Sequence, residues 1–275
     1  MSRKTYLPLL TNEEAAAASR AGEVLLLPLG TVESNGPHQI LGCDFIVAER
    51  LAEAVAARTN AMRMPTFHYG ISELHGGLPG TFALSEPLFT QMIEALLRGA
   101  AHNGFKHVVL FNCHRHNHQP IEILARALRR EQCIGVAVID PLEVARDLAR
   151  EQFAGDPADA VGHGGEPLMS LIAHLNPDDI RMDRAASPDL ATFHGLQALS
   201  STRFKFGGSK VGLFPYAEEV NASGAWADLS TMSAARGRIA FERLCDFTVD
   251  FVEAFRAMPL IAEQSPRGTN PGAGA

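Results

Sequence analysis

Residues 107–130 read HVVLFNCHRHNHQPIEILARALRR. HVVLFN is an apolar run of the length of a buried strand, and QPIEILARALRR spaces its apolar side chains as a helix does. NCHRHNH, residues 112–118, lies at their junction and places three histidines in seven residues. A strand passing into a helix through such a loop is one βα unit of an α/β protein. The histidines are either chance occupants of a surface loop or the imidazoles of a metal site.

The same grammar repeats outward from this stretch. Further strands are expected at Glu23–Leu29, Ala61–Phe67 and Ile134–Ile139, none alternating cleanly with polar residues, as suits a parallel sheet covered on both faces. Helices are expected at Asp44–Arg58, Glu86–Asn103 with Ser85 as N-cap, Gln119–Gln132, Leu142–Gln152, Glu166–Leu175 and Ser233–Met258. Strand and helix in alternation give right-handed βαβ units and a three-layer α/β/α fold with a mostly parallel central sheet. The stretch from about 183 to 230 reads as a loop-rich excursion without a core of its own. A single domain is expected over residues 1–258, followed by a disordered Gly/Pro-rich tail at 259–275.

Composition excludes several classes of function. Of 275 residues, 46% are hydrophobic and 20% charged, the profile of an ordinary globular chain. A net charge of -7 argues against a general nucleic-acid binder. No apolar stretch is long enough for a membrane span, and the N-terminal residues lack the apolar core of a signal peptide. Cys43, Cys113, Cys133 and Cys245 form no C-x-x-C pair, so free thiols and a cytoplasmic location are expected.

In parallel sheets ligands sit beyond the carboxyl ends of the strands. The loop after the first strand carries Glu33, Asn35, His38 and Asp44, and the loop after the second carries His68, Glu73 and His75. The third adds His114, Arg115, His116 and His118, and a later loop adds His163 and Glu166. Mixed imidazole and carboxylate donors suit zinc or manganese. Each residue has a plainer reading as well. Asp44 could cap a helix, Glu166 suits any first helical turn, and Trp226 fits a core as well as a pocket lid.

PLGTVESNGPH, LPGTFAL, NCHRHN and GHGGE, in this order and spacing, resemble the creatininase (creatinine amidohydrolase) family, with weaker similarity in SGAWADLSTMSAARGR. The resemblance spans about residues 23–245. It implies a three-layer α/β domain, homo-oligomers that are often hexamers, and a small-molecule substrate. It also implies two divalent ions per subunit, Zn2+ and/or Mn2+, that activate a water to hydrolyse a C–N bond, often in a cyclic amide. Carried over by position, Glu33 is a terminal ligand, Asp44 bridges both ions, His114 is a ligand, Glu166 completes the second site and His163 shuttles protons. The sequence departs from the family where Asn35 replaces the second-site histidine and where His116 stands in place of a metal-binding glutamate, so the second ion is expected to take either the Asn35 amide oxygen or the His116 imidazole as a ligand. His38, His75, Arg115, His118 and Trp226 are the expected substrate contacts. Two other outcomes stay open: hydrolysis of a C–C bond in a cyclic diketone on the same centre, and a metal-poor scaffold that binds a ligand without turnover.

Overall fold

The computed structural model describes residues 4–156, 160, 162–185 and 190–260. A capping box at Thr11 and Glu14 opens α1 (Asn12–Arg20). There follow β1 (Val24–Leu29), α2 (Cys43–Ala56), β2 (Ala61–Arg63), α3 (Glu86–His102), β3 (His107–Asn112), α4 (His118–Gln132) and β4 (Gly135–Ile139). Next come α5 (Pro141–Leu148), α6 (Arg150–Phe153) and α7 (Leu168–Leu175), then β5 (Thr192–Phe193), β6 (Leu196–Ser200), β7 (Arg203–Phe206) and β8 (Ser209–Gly212). Two helices complete the order, α8 (Ala217–Val220) and α9 (Ala234–Arg256).

The first four strands form one parallel sheet in the order β2-β1-β3-β4. Side chains alternate across it, and both sets are apolar. Leu25, Leu27, Leu29, Val108 and Leu110 pack with Phe89, Ile93 and Leu97 of α3 and Ile121 and Leu124 of α4. Val24, Leu26, Val109 and Phe111 pack on the opposite face with Val47 and Leu51 of α2, Leu171 and Ile172 of α7, and Leu244 and Val252 of α9. Each of these side chains adds about 1.5–3 kcal/mol by leaving water, so the two faces together hold the layers in register. The fold is the expected three-layer α/β arrangement.

Local differences from the expectation have identifiable causes. Regular pairing of β2 stops at Arg63 and returns only as an isolated bridge between Leu29 and Phe67, because Pro65 has no N–H to give the ladder. The helix expected over 142–152 divides at Ala149, and Asp140 caps its first part by accepting from Leu142 and Glu143 N–H at 2.9 and 3.0 Å. Ser85 occupies the N-cap position of α3 but makes no capping hydrogen bond. The tail, from residue 261 on, lies outside the described residues.

The excursion is the larger correction. β5 to β8 form an antiparallel sheet, and Ala198 and Phe204 pack with Val220 in a small core of their own. The strands are short and half exposed, which hides them from periodicity. The legible signal was Gly207-Gly208, whose positive φ values of 51° and 78° make the tight turn between β7 and β8.

α9 closes against α7 through Gly237. A Cβ there would fall inside contact distance of the Ser170 carbonyl oxygen and of the Leu171 nitrogen, both backbone atoms. Gly237→Ala is therefore expected to destabilise the fold by about 1–3 kcal/mol, as overpacking does. Urea unfolding measures this, and an unchanged midpoint would contradict the close approach.

Candidate metal centre

The order of the parallel sheet reverses between β1 and β3, which opens a crevice at their carboxyl ends. Five segments converge there. The loop after β1 carries Glu33, whose N–H donates to the Leu41 carbonyl at 3.0 Å. Asp44 lies in the first turn of α2, His114 stands two residues past the end of β3, and His75 ends a short 3-10 turn at Glu73–His75. His163 reaches in from the loop before α7. Glu33, Asp44, His75 and His114 are all buried.

Two trios share Glu33. In the first, His114 Nδ1 lies 3.1 Å from Asp44 Oδ2 and 3.6 Å from Glu33 Oε1. His114 Nε2 donates to the Ile71 carbonyl at 2.9 Å, which leaves Nδ1 for the carboxylates. In the second, His163 Nε2 lies 3.0 Å from Glu33 Oε1, while its Nδ1 donates to the Gly224 carbonyl at 2.5 Å. His75 Nδ1 is 3.4 Å from Glu33 Oε2 but is not aligned for a hydrogen bond, so both atoms stay without a hydrogen-bond partner. In each trio one donor atom from every residue lies within 4.8 Å of the others.

The charges follow from burial and contact. Burial works to raise the Glu33 carboxyl, yet the charge on His114 and the hydrogen bond from His163 hold it well below the usual range. Burial wins at Asp44 and pushes it up, opposed by the hydrogen bond from His114. His114, which burial alone would lower, is raised to about 9 by the Glu33 charge and the Asp44 hydrogen bond. His163 is also raised against its burial, through Glu33. Burial, followed by the charge on His163, lowers His75. Without a cation, then, the buried carboxylates draw protons onto imidazoles. A divalent cation meets the same demand, and the unbonded Glu33 Oε2 and His75 nitrogens are donors with nothing else to bind. The residues present fit a metal.

The other expected site residues divide. Trp226 flanks the centre, with its ring 5.2 Å from that of His163 and 6.2 Å from that of His75. Asn35 is buried beside it, but its amide turns back to the Glu33 carbonyl at 3.4 Å. His38 is buried and faces the Gly164 carbonyl at 3.3 Å. His116 is exposed, with its ring 5.4 Å from that of His114. Although part of its surface is open, the protein packed around its ring, followed by the His114 charge, lowers His116 to about 4. Arg115 is exposed on the same turn, and His118 opens α4 beside a separate groove along β4. Glu166 belongs to neither trio. Its carboxylate accepts from Ser170 Oγ at 2.7 Å and from Ser170 N at 3.2 Å, one hydrogen bond to each oxygen.

The creatininase family model (creatinine amidohydrolase) matches residues 8–252. The chain belongs to the creatininase family. It is 31% identical to a creatinine amidohydrolase of Pseudomonas putida over 211 residues, 70% of this chain and 80% of that one. It is 26% identical to a mycofactocin precursor peptide peptidase of Mycolicibacterium smegmatis over 242 residues, 85% of each chain. A Zn–Zn form of a mutant creatininase superposes with a TM-score of 0.77 at 25% identity, over 94% of this chain and 100% of the other. A manganese creatininase gives 0.74 at 26% identity, over 93% and 100%. This member of the creatininase family is accordingly a hydrolase acting on amides, with a set of residues suited to a metal.

Sequence reasoning missed the parts that aim the donors. The Ile71 and Gly224 carbonyls fix the tautomers of His114 and His163, and a backbone carbonyl carries no side-chain signature. Asn117, which sits inside the histidine-rich loop, was also overlooked. Its Oδ1 accepts from Ile71 N at 3.0 Å, and its Nδ2 donates to Asn112 Oδ1 at 3.2 Å and to the Gly30 carbonyl at 3.4 Å. It thereby ties together the loops after β1, β2 and β3. Asn117→Ala is expected to lower the stability of the metal-free protein by about 1–3 kcal/mol, since buried groups lose partners. Chemical denaturation checks this, and an unchanged midpoint would show that the loops hold without it.

Proposed function

We propose that this chain is a divalent-metal-dependent amidohydrolase that opens a non-peptide C–N bond in a small cyclic amide. The observation that carries the reading is the buried meeting of Glu33, Asp44 and His114, with His114 Nδ1 turned to both carboxylates. These three residues would hold one ion. The reading includes two ions per subunit, zinc and/or manganese, which the Zn–Zn and manganese relatives support. It also includes homo-oligomeric assembly and a cytoplasmic setting, as the sequence suggests.

When bound, such a cation supplies Lewis acidity and lowers the pKa of a water. The chain's own groups supply the rest. Glu33 and Asp44 concentrate negative charge at the closed end of the crevice. His163 is anchored through Nδ1 on the Gly224 carbonyl, so Nε2 is its working atom. From there it takes a proton from water and delivers it to the leaving nitrogen. The rings of Trp226, His163 and His75 are layered on one another, an aromatic stack whose outer face suits a planar amide ring. Burial of the donors keeps bulk water away from the reacting atoms, which strengthens each electrostatic contact.

The test is a substrate panel of lactams, cyclic ureas, formamides and cyclic diketones, run on chelated protein and on protein reloaded with zinc or manganese. At least one cyclic amide is expected to open only after reloading. His163→Ala is expected to lower kcat by about 10²–10⁴-fold, with the ion at Glu33, Asp44 and His114 retained. Full activity in the chelated protein, or cleavage of diketones alone, would contradict the reading.

A further inference from the structure

His75 and His163 of the second trio take no part in holding the ion just described, and their geometry is unusual for side chains that only pack. His75 is 2% exposed, yet neither of its ring nitrogens has a hydrogen-bond partner. Leaving a buried polar atom unbonded costs about 1–3 kcal/mol, and folded chains keep such atoms mainly where something else binds them. The His75 ring stacks on that of His163 at 3.9 Å with 13° between the planes. Two parallel imidazoles thus present nitrogens to the two oxygens of a single carboxylate, at 3.0 and 3.4 Å.

Those spacings match coordination. Ligand atoms about 2.1 Å from a tetrahedral zinc stand about 3.4 Å from one another. His163 also has the arrangement of a metal-ligating histidine, with one nitrogen held by a backbone carbonyl and the other aimed at the site. Asn35, His116 and Glu166 offer no comparable convergence among the described residues: the Asn35 amide turns to the Glu33 carbonyl, His116 is exposed, and Glu166 is taken by Ser170.

We propose that Glu33, His75 and His163 form a cation site of two imidazoles and one carboxylate, additional to the site at Glu33, Asp44 and His114 and suited to zinc. The inference rests on the metal-dependent reading above and assigns new ligands within the same centre. A cation there uses the same Nε2 lone pair of His163 that proton transfer needs, so loading this site silences that step. Zinc bound at this trio, beyond the ions that the reaction uses, is thus an inhibitor built from the enzyme's own working groups.

The test counts zinc and cobalt(II) bound to the metal-free protein, by equilibrium dialysis with elemental analysis. Wild type is expected to hold one equivalent more than His75→Leu, while His75→Leu keeps the ion at Asp44 and His114. His75→Leu preserves side-chain bulk and removes two unbonded nitrogens, so its metal-free melting temperature should equal or exceed that of wild type. Equal uptake by wild type and His75→Leu overturns the site. So does loss of the extra equivalent in His116→Ala with none lost in His75→Leu. No uptake by wild type overturns the metal-dependent reading as well, which separates the two failures. A measurement on wild type alone removes any dependence on folding of the variant. X-ray absorption at the zinc edge should show the added equivalent bringing a shell of two imidazoles, and a shell with fewer than two overturns the proposal.

Discussion

Two carboxylates, Glu33 and Asp44, are buried together at the carboxyl end of the parallel sheet, and among the described residues neither has an ion pair with lysine or arginine. Removing such anions from water is expensive unless positive charge and hydrogen bonds accompany them. The rest of the crevice is arranged around this demand. His114 and His163 face the carboxylates with one nitrogen and bind backbone carbonyls with the other, and in the metal-free chain both are pushed toward the charged form. A divalent cation would satisfy the same demand more completely and release these imidazoles to act as neutral donors.

The fold makes this concentration of charge possible. Two apolar faces of one sheet, covered by helices, secure β1 and β3 side by side, so the chain ends that leave them are fixed. The stability of those layers offsets the cost of a polar centre built on their rim. The centre therefore sits where a doubly covered sheet most readily hosts chemistry, at the reversal of strand order.

Much of this was legible from the chain. HVVLFN and EVLLLPL carry continuous apolar runs that only a doubly buried strand needs, and their loops hold most of the residues that converge. The roles within the centre were less legible. His75 reads from sequence as a substrate contact, because nothing local shows that its ring will be buried without hydrogen-bond partners beside Glu33. Glu166 reads as a ligand because of its motif, and the sequence does not show that Ser170 in the following helical turn hydrogen-bonds to both of its oxygens. The small antiparallel sheet escaped notice for a different reason. Strands of two to five residues that are half exposed carry little periodic signal, and Phe204 and Val220 become a core only once the chain returns from one to the other.

The most direct measurement of the central claim is an anomalous difference map from crystals loaded with zinc or manganese. A peak within coordination distance of Glu33, Asp44 and His114 Nδ1 is the expected result. Crystals at saturating metal that show no peak there, with His114 still paired to Asp44 as in the metal-free chain, would contradict it.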